Sequence, residues 1–223
     1  MKLKKIASLA LAGIMAVSML AGCKDGGNSN SGSSSENTDT TSGYSAMLGE
    51  KAADALYKAE RDKIFTFADN NDDQKALADV VLSVSDSTME NWVKNNNLVA
   101  TKIDSIQEGF QDKAKLTRQI NLTATGDDKN GFFSGDSANK VKIGQVWVAN
   151  GTYSMDKVLD EIFETYEDTF CKTRKEGTVN STKYNYNYTV SVSVVNKPIT
   201  SNTQINGSVN FVAVTITRTS TVA

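Results

Sequence analysis

The sequence predicts an α+β domain over residues 45–223: helices first, then a mostly antiparallel sheet of about four or five strands packed by one long amphipathic helix. Three observations predict it. Apolar residues recur at helical spacing between residues 45 and 94. Two-residue alternation takes over from residue 120, and residues 154–170 divide their apolar and acidic side chains between two faces.

In order along the chain, Ser45 is placed to cap a helix in which Leu48, Ala52, Ala55, Leu56 and Ala59 recur at helical spacing. Residues 72–84 carry Leu77, Val80, Val81 and Val84 at i, i+3, i+4 and i+7, a second helix whose valines also suit a strand. Ser87-Thr88-Met89-Glu90 is a capping box, opening a short helix that ends at Asn95-Asn96-Asn97. Residues 99–110 fit helix and strand equally. Ile120, Leu122 and Ala124 alternate with polar residues before an Asn130-Gly131 turn. Val141 to Ala149 is the next strand, and Ser154 to Phe170 the clearest helix. Tyr184, Tyr186, Tyr188, Val190, Val192 and Val194 then share one strand face, and Val209 to Thr217 is apolar on both faces, as an interior strand would be.

The segment ahead of this domain has a different character. Lys2, Lys4 and Lys5 precede a 15-residue run of apolar and small residues, Ile6 to Leu20. A cationic start, a short greasy run and small residues at its end are the pattern of an export signal, and the run falls short of the ~20 residues a membrane span needs. Leu20-Ala21-Gly22-Cys23 resembles the lipobox of bacterial lipoproteins. The resemblance implies that residues 1–22 are removed, that Cys23 receives a diacylglycerol, and that the protein sits on the outer side of the cytoplasmic membrane. It covers residues 1–23 alone. Residues 23–44 read as the lipidated cysteine plus a tether: 16 of the 21 residues from Lys24 to Tyr44 are Gly, Ser, Asn or Thr. Such a composition buries too little surface to offset its ordering entropy, and it spans about 25 Å on average.

Composition narrows the chemistry. Removing the leader leaves 21 Lys+Arg against 26 Asp+Glu, a net charge of −5 with no dense basic run. Neither a nucleic-acid partner nor electrostatic attraction to anionic lipid is expected, so the membrane is the expected partner through the anchor on Cys23. With Cys23 given to lipid, Cys171 has no intramolecular partner. The chain has no histidine, which excludes Ser-His-Asp and Cys-His catalysis and imidazole metal sites. No cofactor or metal is called for.

Several motifs read more simply as structure. Asp69, Asn71 and Asp73 match the first positions of a calcium loop, but Gln74 and Val80 stand where Gly and Glu are needed. Residues 127–131 read as hairpin chemistry. Ser154-Met155-Asp156-Lys157 and Ser137-Ala138-Asn139-Lys140 match Ser-x-x-Lys, used by penicillin-recognising enzymes, without that family's other elements. The acidic side of the 154–170 helix reads as a solvated face. Trp147 is a candidate ligand platform: a bulge at Gly144-Gln145 would put Val141, Ile143, Val146 and Val148 on one face and turn the indole outward. Tyr184, Tyr186 and Tyr188 are a second, weaker candidate, with a core-facing role favoured. The functional expectation is a non-catalytic module binding an envelope protein or carbohydrate, with a glycan hydrolase using paired carboxylates as the alternative.

Overall fold

A computed structural model describes residues 43–95, 101–103, 106–120, 131–133, 135–200 and 207–223. Tyr44–Ala223 forms one compact α+β unit. Its elements are α1 (Tyr44–Lys58), β1 (Phe65–Phe67), α2 (Asn71–Val81), α3 (Asp86–Asn95), β2 (Thr101–Lys102), α4 (Gln107–Lys113), β3 (Arg118–Gln119), β4 (Val141–Asn150), α5 (Met155–Lys172), β5 (Glu176–Val179), β6 (Thr182–Ile199) and β7 (Gly207–Val222).

The sheet runs β1-β6-β7-β4-β2, with β3 also on β4 and β5 also on β6. It is mixed rather than mostly antiparallel, and has more strands than expected. The long β4, β6 and β7 pair antiparallel, while the short β1 and β3 add parallel to β6 and β4. Strands of two or three residues carry no alternation to read, which is why the sequence hid them. The β5–β6 hairpin also escaped notice. Its turn is Asn180-Ser181, both at positive φ (48° and 66°), the left-handed pair of a tight hairpin.

Helices cover both faces of the sheet. On one, α1 and α5 press Leu48, Leu56, Leu159, Ile162 and Phe170 onto Ile143, Tyr188, Val190, Val212 and Val214. On the other, α2, α3 and α4 press Leu77, Val81, Met89 and Phe110 onto Val146, Val148, Phe211 and Ala213. Covering both faces explains the break in alternation on β4. Val141 and Ile143 serve the first core, Val146 and Val148 the second. The β4–β7 register runs one-to-one from Val141↔Arg218 to Asn150↔Val209, so the expected bulge is absent. Gly144 answers a close approach instead: a Cβ there would meet Leu116 Cδ1 at 2.9 Å.

Helix starts also correct the sequence reading. Ser154 caps α5 as expected, accepting from the Lys157 N–H. Ser45 does not cap α1; it is buried, and its hydroxyl accepts from the Val192 N–H on β6 at 2.9 Å. The hydroxyl that accepts at the start of α3 is Ser85, bonded by the Thr88 N–H, two residues earlier than the capping box implied. Of residues 99–110, the described Thr101 and Lys102 form β2 and residues 107–110 open α4, so both forms are used. The expected strand residues 122 and 124, residues 127–130 of the loop and residues 23–42 of the tether lie outside the described residues, while Tyr44, expected to end the tether, opens α1.

Candidate functional site

The residues singled out by sequence lie inside the domain. Trp147 is 6 % exposed and faces α5, where its Nε1–H donates to Tyr166 Oη at 3.1 Å. Tyr186 and Tyr188 are 1 % exposed on the same core, and Tyr184 is half-buried beside them. These rings are core, not a platform, because α1 and α5 cover the face they share. Burial pushes the phenols of Tyr166 and Tyr188 far above the usual tyrosine range. The Tyr188 hydroxyl donates to Arg174 O at 2.7 Å, and Tyr186 Oη accepts from the Ser137 N–H. Cys171 is partly buried against Ala55 O, and burial, then Glu167 and Asp168, raises its thiol.

Asp73 has a different neighbourhood. In place of a calcium loop, Asn70 caps α2 by accepting from the Asp72 and Asp73 N–H groups. That first turn carries the Asp73 carboxylate inward, fully buried, where it pairs with Lys142 and accepts from Thr215 Oγ1 at 2.7 Å. Lys142 also donates to Ala114 O at 3.1 Å, so one ammonium ties α2, the end of α4 and β4 together. Among the described residues no group of three or more acidic or thiol side chains is placed to hold a metal.

Above this buried pair lies a cleft of about 580 Å³ lined by α2, the end of α4 and the approach to β4. Five of its lining residues are lysines, Lys75, Lys113, Lys115, Lys140 and Lys142, against two carboxylates, Asp72 and Asp79. Lys113 sits 3.6 Å from Asp79, and Lys142 is held by Asp73. Lys75, Lys115 and Lys140 have no carboxylate in ion-pair range among the described residues. Among the described residues the lining has no aromatic ring, and its apolar share is Ala76 and Ala114.

Lys115 holds an unusual backbone position. The Leu116 N–H bonds Gln111 O at 2.9 Å and the Lys115 N–H bonds Asp112 O at 3.3 Å, the pattern that closes a helix through a left-handed residue. Lys115 is that residue, at φ +55°. Glycine is the usual occupant, and a residue with a Cβ costs about 1 kcal/mol there. The strain is retained at a position whose side chain lines the cleft.

Sequence reading missed this cluster because its five members fall on three separate segments of chain. A faint signal existed in the two Lys-x-Lys pairs, Lys113/Lys115 and Lys140/Lys142. Only the closure of α4 against β4 puts them around one space. The chain matches no protein-family model, no curated protein and no solved structure. The cleft is therefore interpreted from its own chemistry. Lysines gathered on one cleft bind negative charge, and of the carboxylates beside them Asp73 is paired with Lys142 and Asp79 with Lys113, while Asp72 has no ion pair among the described residues. That arrangement suits anion capture better than the acid–base carboxylate pair a glycan hydrolase needs.

Proposed function

We propose that this protein is a lipid-anchored module on the outer side of a bacterial cytoplasmic membrane that captures an anionic ligand in the lysine cleft without transforming it. One observation carries the capture reading: five lysines share a single cleft in a chain whose expected mature charge is −5. Bringing like charges together costs electrostatic energy that a bound anion would relieve. The anchoring half of the reading is supported by the leader and by Leu20-Ala21-Gly22-Cys23. Among the described residues no helix is long and apolar enough to cross a membrane. A second acyl chain turns marginal membrane binding into stable attachment.

Two experiments test the two halves. Cys23→Ser should move the protein from the detergent phase to the aqueous phase and abolish incorporation of labelled fatty acid. Unchanged partitioning would refute the anchor. Calorimetric titration of the full chain with inorganic pyrophosphate and with citrate should give saturable binding at low salt. Lys75→Gln combined with Lys140→Gln should remove most of it. Absence of saturable binding to either anion would refute the capture reading.

A further inference from the structure

We infer that the ligand of this cleft carries two or more phosphate groups on a non-aromatic, hydroxyl-bearing frame: a phosphorylated polyol. The inference rests on the anion-capture reading above and narrows it to one chemical class.

Four features of the lining lead there. The first is size. A cavity of about 580 Å³ falls in the range of sites that take whole small molecules, and a lone oxyanion would leave most of it filled with water. The second is the distribution of charge. The lysines with no ion pair among the described residues come from three places, α2, the residue closing α4 and the segment before β4, so a ligand that meets all three has its negative groups spread over a frame. The third is donor type. Among the described residues every cation on the lining is lysine, a mobile point charge that suits phosphate oxygens at varied angles. The fourth is what lies between the lysines. No ring is present to stack on a nucleobase or the face of a sugar. Asp72 and Asp79 supply carboxylate acceptors instead, and Thr117 a hydroxyl. Carboxylates in an anion site oppose bare polyphosphate but accept hydrogen bonds from hydroxyls, which a polyol provides.

Lys115 gives an independent handle. A glycine there relieves the positive-φ strain and removes one ammonium, so its effects on stability and on binding have opposite signs.

The test is titration of the full chain with inositol trisphosphate, which keeps three free hydroxyls, poly(glycerol phosphate) and citrate at matched ionic strength. Both phosphorylated probes should bind at least about tenfold tighter than citrate and lose roughly tenfold in affinity between about 50 and 500 mM sodium chloride. Lys75→Gln, Lys115→Gln and Lys140→Gln together should weaken them by roughly thirtyfold or more. Preference for the polymer per phosphate would mark an envelope polymer as the source, and preference for the small probe a soluble metabolite; either supports the assignment. Lys115→Gly should raise the melting temperature while weakening phosphate binding; raised stability with unchanged affinity would overturn the role given to this lysine. Citrate binding as tightly as the phosphates would overturn the phosphate assignment and leave anion capture standing. No binding by any of the three would overturn both.

Discussion

Replacing Gln107 by alanine should destabilise the domain by about 2–3 kcal/mol without touching the cleft lysines. Gln107 opens α4 and is fully buried, and its amide lies along the edge of β4 like one residue of a neighbouring strand. Its Nε2 donates to Gly144 O at 3.2 Å and its Oε1 accepts from the Val146 N–H at 2.8 Å. In the alanine variant Gly144 O keeps a donor, the Ile120 N–H at 3.1 Å, but the buried Val146 N–H keeps none. An orphaned buried donor costs about 1–3 kcal/mol, and the vacated volume adds to that. At about 2–4 °C per kcal/mol for a domain of this size, the melting temperature should fall by roughly 4–12 °C. An internal control exists. Gln74 makes the same two bonds on the opposite edge of the sheet, to Val194 O at 2.9 Å and from the Val194 N–H at 3.0 Å, where the strand is only partly buried. Water can replace that amide, so Gln74→Ala should cost less than half as much. Thermal melts by circular dichroism read both variants. If Gln107→Ala melts within about 2 °C of the parent, or Gln74→Ala melts lower than Gln107→Ala, the assignment of cost to the orphaned amide is wrong.

Further outcomes follow from other contacts. Lys142→Met leaves Asp73 buried with only the Thr215 hydroxyl, and should cost about 3–5 kcal/mol in urea unfolding; adding Asp73→Leu should recover most of the loss. Trp147→Phe removes the donor to Tyr166 Oη and should lower stability by about 1–3 kcal/mol while leaving anion affinity unchanged, because the indole lies on the sheet face away from the cleft. Loss of binding with stability intact would return Trp147 to the ligand site. Cys171 should react with a disulfide reagent more slowly than a free thiol at neutral pH, since burial raises it and keeps the thiolate scarce. Its folded pKa lies above the unfolded one. The matching contribution to stability is therefore complete below the unfolded value and lost as pH rises through the folded one.

Local patterns determined much of this protein. The spacing of Leu48, Ala52 and Leu56, the apolar stripe of residues 158–170 with Ser154 as its cap, and the alternation from Tyr184 to Val194 each give the right element, because each stabilises its own segment through a period that neighbours along the chain share. Tertiary structure alone decided the rest. Whether Trp147 was platform or core depended on α1 and α5 covering its face. Val141, Ile143, Val146 and Val148 implied a bulge only while one face was taken to be open. Asp73 resembled a loop acid until Lys142, 69 residues away, neutralised it. The cleft is the clearest case: its lysines lie on three segments that nothing in the sequence links, but burial of Leu77, Phe110 and Val146 in one core draws those segments together and leaves their lysines around a common space.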